Sequence, residues 1–172
     1  MFYQTTVTVP VARLRGLLSL LEKVEIQARE KWMTDAQVLD LRLAPDMFPL
    51  VKQIQIATDN AKGMVSRSGH REIPSYPDTE SNFPEIRARL EKTIAYLETF
   101  TPADLENGAT WEFRSKWFPG IKLVGEGYIL TYGLPNFFFH IVTAYSILRN
   151  AGFDIGKEDY MGSGIAFVPD TE

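Results

Sequence analysis

The sequence predicts a mostly α-helical fold, a four-helix bundle formed as one domain over residues 1–172. Three observations carry this expectation. Apolar residues recur at three-to-four-residue spacing in four long segments, the pattern of helices that bury one face. Runs rich in Pro, Gly, Ser and Asp, residues that end helices and make turns, separate these segments. Hydrophobic residues make up 45% of the chain, enough at 172 residues to bury a core that folds without staples.

The first helix is expected from about Pro10 to Lys31, because Leu14, Leu17, Leu18, Leu21 and Val24 form one stripe while Arg13, Arg15, Glu22 and Lys23 take the rest of the wheel. Pro10, with its fixed φ, suits an opening turn. Thr34 with Gln37 reads as a capping box for a short turn over Asp35 to Asp40. A second long helix, about Asp46 to Arg67, follows from Met47, Leu50, Val51, Ile54, Ala61 and Val65, and it should stop near Gly69. Gly69 to Asn82 reads as a loop whose length suits a crossover along the bundle better than a tight turn. Asn82 caps a third helix carrying Phe83, Ile86, Leu90, Ile94 and Leu97 and ending near Phe100. From Thr110 the period becomes two: Trp111, Phe113 and Trp117, a Pro119-Gly120 turn, then Ile121 and Leu123 predict a small β-hairpin. The fourth helix should open at Pro135 and run through Phe137, Ile141, Ala144, Ile147 and Leu148 to Gly152, and a tail from Phe153 to Glu172 should wrap back over the bundle with little regular structure.

Composition removes several function classes. There is no cysteine, so disulfides, thiolate catalysis, iron–sulfur ligation and Cys-based zinc sites are excluded, which fits a cytoplasmic protein. The net charge of -4 argues against a nucleic-acid binder, whose phosphate groove needs a basic excess. Residues 1–6 lack the basic start and apolar block of a signal peptide. Tyr128 to Leu148 carries no formal charge over 21 residues, but Gly133, Pro135, Asn136 and His140 interrupt it, so no membrane partner is expected.

Candidate chemistry centres on His140, which stands in an otherwise apolar helix with Asn136 one turn before and Thr143 one turn after. Asp46, Gln53 and Asn60 lie seven apart along the second helix. If the two stripes meet, a carboxylate, amides and an imidazole enclose a polar pocket for a small-molecule ligand or a metal. The plainer reading keeps His140 as a buried imidazole satisfied by one hydrogen bond. Asp46 can equally cap the second helix, Lys157-Glu158-Asp159-Tyr160 can close over a pocket or remain a solvated run, and His70 reads as a loop side chain. The aromatic group Trp111, Phe113, Trp117 and Phe118 is explained by hairpin packing. Gly162-Ser163-Gly164 is no nucleophile elbow, and neither HExxH nor a phosphate-binding glycine loop occurs.

Five segments together resemble a known family: Thr8 to Val11 (TVPV), Arg42 to Leu50 (RLAPDMFPL), Leu134 to His140 (LPNFFFH), Ala144 to Arg149 (AYSILR) and Gly156 to Tyr160 (GKEDY). The chain is similar over nearly its whole length to an uncharacterised bacterial and fungal family, a domain of unknown function in the DinB/YfiT-like metalloenzyme superfamily. The resemblance implies a DinB-like four-helix bundle with a long connection between helices 2 and 3, the small hairpin standing before helix 4. Better-known members resemble divalent-metal-dependent thiol S-transferases and isomerases, with one ligand histidine on the second helix and an HxxxH pair on the fourth. By that resemblance His140 takes the second place of the pair, Asn136 the first, and Gln53 or Asp46 the place on helix two, so two of three imidazoles are replaced. The implied cofactor is Zn, Ni or Mn held by His140, Asn136 and Gln53. An enzyme of this kind would use His140 as metal ligand or general base, with Asp46 or Tyr160 as helper. The open alternatives are a metal-free small-molecule pocket and a non-catalytic bundle that homodimerises or binds a partner.

Overall fold

Apolar periodicity produces helices where it is strongest, and the order along the chain is α1 (Val9–Glu30), α2 (Asp35–Leu39), α3 (Leu50–Ser68), α4 (Phe83–Glu98), a hairpin of β1 (Glu112–Arg114) and β2 (Lys122–Val124), α5 (Gly125–Tyr128), α6 (Leu134–Asn150) and α7 (Lys157–Met161). The computed structural model describes residues 1–114 and 119–162, so Trp117, Phe118 and the tail beyond Gly162 lie outside the described residues. The bundle is made by α1, α3, α4 and α6: α3 packs against α6 on one side and α4 on the other, and α1 closes against α4. Leu14, Leu17 and Val24 of α1, Ile54, Ala57 and Met64 of α3, Ile86 and Leu90 of α4, and Phe137 and Ala144 of α6 are buried in one continuous core. Each large side chain among them contributes about 1.5–3 kcal/mol by leaving water.

Local signals set most boundaries. The Thr34 hydroxyl accepts from the Gln37 N–H while the Gln37 side chain accepts from the Thr34 N–H, the reciprocal cap expected for α2. Asn82 Oδ1 accepts from the Glu85 N–H at 2.9 Å and starts α4. The fourteen residues between α3 and α4 form the long connection. In the hairpin Phe113 pairs with Leu123 in an antiparallel register.

Four expectations are corrected. The first helix opens about eight residues early, because a π-helical turn, Gln4–Thr8, runs directly into α1. The fourth likewise reaches back through a π turn, Ile129–Gly133, to α5, so Gly125 to Asn150 is one continuous helical run in place of a helix opening at Pro135. The second helix starts at Leu50 with Pro49 as its N-cap, which leaves Asp46 in an exposed turn and not as a cap. In the described part of the tail, Lys157–Met161 form α7, which packs on α1. Gly69 does end α3, but for space and not for handedness: its φ is −100°, and a Cβ there would meet the Phe100 ring at 2.6 Å. Among the described residues no helix is long and apolar enough to cross a membrane.

Candidate functional site

The two polar stripes meet across the α3–α6 interface. Asn136 Nδ2 donates to Asn60 Oδ1 at 3.1 Å, and one turn further along α6 the His140 Nδ1 lies 2.7 Å from Gln53 Oε1. Gln53 Nε2 donates to the Phe48 carbonyl at 3.1 Å, which fixes the amide so that its oxygen faces the imidazole. Nδ1 must then carry the ring proton, and Nε2 holds the lone pair. Nε2 has no partner among the described residues, yet none of their buried side-chain nitrogens or oxygens is left unpaired, so Nε2 reaches solvent. Burial lowers the His140 pKa below its ordinary value, which keeps the ring neutral near pH 7.

The other predicted site residues are elsewhere. Thr143 turns its hydroxyl back to the Phe139 carbonyl at 2.6 Å. Asp46 is exposed in the loop before α3. Tyr160 packs on the opposite side of α6, edge-on to Tyr145 at 5.9 Å and beside the Arg13 guanidinium, and burial raises its pKa. His70 stays exposed but lies edge-on to Trp111, with ring centroids 3.8 Å apart.

Gln53, Asn136 and His140 do not fit a divalent-metal centre. Gln53 sits at the protonated Nδ1 side of the ring, so a cation at Nε2 would face away from it. Asn136 is spent on Asn60, a turn away. One imidazole with neutral amides is a poor donor set for Zn, Ni or Mn. Among the described residues no three His, Cys, Asp or Glu side chains cluster as a metal would need.

Beside the Asn60–Asn136 pair the bundle opens into a cleft of about 450 Å³, within the range of small-molecule sites. It runs between α3, residues 73–76 of the long connection, and the start of the fourth bundle helix. Asp59, Asn60, Lys62, Arg67, Tyr76 and Asn136 supply its polar and aromatic lining. Lys62, only 2% exposed, donates to the Pro74 carbonyl at 2.9 Å, pairs with Asp59 at 2.8 Å and lies 3.4 Å from the Tyr76 ring centroid. Burial lowers its pKa, while the Asp59 hydrogen bond pulls the other way. Tyr76 is pushed up by burial.

Sequence reasoning missed the buried charge behind this cleft. Arg89 of α4 pairs with Asp59 at 3.0 Å, Asp78 at 3.1 Å and Glu80 at 3.0 Å, and donates to the Thr58 hydroxyl at 2.8 Å. Gln55, Thr58, Lys62 and Ser66, spaced three to four apart on α3, form the polar seam that meets it. That spacing was the available signal.

A bundle of this topology, with polar side chains of its second and fourth long helices meeting in the interior, is of the DinB class. Its backbone is similar to the crystal structure of a DinB family member protein from Shewanella denitrificans, with a TM-score of 0.93, 36% identity, and coverage of 98% of this chain and 96% of that one. The chain belongs to the family described as Domain of unknown function (DUF1993), whose model matches residues 2–161. Among curated proteins, none matches the chain.

Proposed function

We propose that this DinB-like protein binds a small polar molecule without a metal, in the cleft beside the Asn60–Asn136 pair. The observation that carries the proposal is that Asn136, which by resemblance takes the place of the first histidine of an HxxxH pair, bonds to Asn60 at 3.1 Å and opens onto a cleft of about 450 Å³. His140 and Gln53 then tie α3 to α6 next to the cleft. Transferase or isomerase chemistry on the bound molecule would have to be metal-independent here, and His140 does not itself line the cleft.

A ligand that binds the native state alone raises its melting temperature. Untagged protein should melt higher in some members of a library of small polar molecules, and Asn136→Leu, which blocks and depolarises the cleft, should abolish those shifts. Shifts produced by Zn²⁺, Ni²⁺ or Mn²⁺ and lost in His140→Ala would overturn the proposal.

A further inference from the structure

Arg67 stands apart from the other charges of the cleft. Lys62 and Arg89 share Asp59, and Arg89 also takes Asp78 and Glu80, so these charges compensate one another. Arg67 has no carboxylate partner among the described residues. Its Nη1 donates to the neutral Tyr128 hydroxyl at 3.0 Å, and the guanidinium carbon lies 5.8 Å from the Phe113 ring centroid and 5.7 Å from that of Tyr128. These rings are themselves edge-to-face at 4.9 Å, so the hairpin strand β1 and the helix after it together hold the guanidinium in place. A cation so placed is pre-ordered, with little rotamer entropy left to lose on binding.

The remaining N–H groups of Arg67 have no partner among the described residues, and none is buried, so they meet solvent where Arg67 lines the cleft. Gly63, one turn earlier on α3, makes room for the guanidinium: a Cβ there would lie 2.5 Å from Nη1, the nitrogen held by Tyr128. A glycine inside an α-helix costs about 1 kcal/mol relative to alanine. Here it lets the guanidinium fold back against α3 beside the cleft.

We infer that the cleft recognises a small organic oxyanion, a carboxylate or phosphate monoester, with Arg67 as its charge anchor and the Asn60–Asn136 amides as hydrogen-bonding groups for its neutral part. This rests on the cleft being the ligand site. A planar guanidinium with unfilled donors matches two oxygens of one anionic group, and the charge makes those hydrogen bonds stronger than bonds to a neutral acceptor.

The test is an amide NMR titration at low ionic strength with three probes of one shape: benzoate, phenyl phosphate and neutral benzamide. Benzoate or phenyl phosphate should perturb residues 59–67 and 132–136, and which of them binds tighter separates the carboxylate source from the phosphate source. Arg67→Gln should weaken the anions roughly ten- to hundredfold, the loss of a charge-assisted hydrogen-bond pair, and leave benzamide unchanged. Gly63→Ala, which raises helix propensity while displacing the guanidinium, should stay folded by circular dichroism and lose the anion preference. Benzamide binding in the cleft as well as the anions do, or anion binding untouched in both variants, would overturn the oxyanion inference and leave the cleft as a ligand site. Anion binding that maps outside the cleft would overturn both.

Discussion

His140 shows how one hydrogen bond decides between a ligand and a structural residue. The Phe48 carbonyl orients Gln53, Gln53 fixes the Nδ1–H tautomer, and the lone pair is left on Nε2. The pair also couples stability to pH. Burial depresses the His140 pKa in the folded state, so between the unfolded value, about 6.5, and the lower folded value the unfolded chain binds the extra proton. Stability is therefore complete above pH 6.5 and falls as pH drops below it, until the folded ring also protonates. The expected outcome is a melting temperature that falls from pH 7.5 to 5.5 in the native sequence and falls less in His140→Gln; equal losses in both would show that the ring is not the titrating group. His140, Asn136 and Gln53 were legible in the sequence because each breaks an apolar stripe at helical spacing. The roles given to Asp46 and Tyr160 were not legible. Asp46 depended on where α3 starts, which Pro49 sets, and Tyr160 depended on which side of the bundle α7 lands.

At the scale of elements, the long connection between α3 and α4 is anchored by charge and not by regular structure. Lys62 holds the Pro74 carbonyl, Lys52 pairs with Asp78 at 2.6 Å, Gln55 donates to Glu80 at 2.8 Å, and Arg89 gathers Asp78, Glu80 and the Pro77 carbonyl. Burial alone would raise the Asp78 pKa, but Lys52 and Arg89 together hold it below the ordinary carboxylate value. Arg89 is buried while Asp59 and Asp78 keep 48% and 34% of their side chains exposed, so removing the arginine strands mainly Glu80. Arg89→Met should therefore cost about 1.5–3 kcal/mol in denaturant unfolding, and Arg89→Lys should recover only part of it, because an ammonium cannot match the planar fork. A loss under about 1 kcal/mol would mean that the connection is held by something else. The sequence showed the loop and its length but not its anchor, since Asp78 and Glu80 lie on the loop and their arginine is nearly two turns inside the next helix.

The two prolines read as helix openings share one local device. In Thr6-Val7-Thr8-Val9-Pro10 and Thr131-Tyr132-Gly133-Leu134-Pro135 a threonine stands four residues before the proline, where its carbonyl would face the ring. Each threonine hydroxyl instead donates to the carbonyl four residues back, at 2.8 Å for Thr6 and 2.6 Å for Thr131. In both, the residue just before the proline bonds five residues back, from Val9 to Gln4 and from Leu134 to Ile129. A wide π turn thus carries the helix past a residue that has no N–H to give. Apolar periodicity could not reveal this, because a π turn shifts the register by one residue and resembles a boundary.

For the molecule as a whole, the bundle was legible because four amphipathic stripes and a long connection leave few ways to bury the core. The cleft was not, since it is enclosed by parts distant in sequence: α3, residues 73–76, and the π turn before α6. The central claim is that this fold keeps the DinB bundle while the Asn60–Asn136 and Gln53–His140 pairs, at the positions where the resemblance implies metal-binding imidazoles, border a cleft proposed to take a ligand without a metal. Metal content of untagged protein, measured by mass spectrometry against protein concentration, tests it most directly. The account predicts far less than one equivalent of any divalent transition metal, unchanged in His140→Ala; near-stoichiometric zinc, nickel or manganese that disappears in His140→Ala would contradict it.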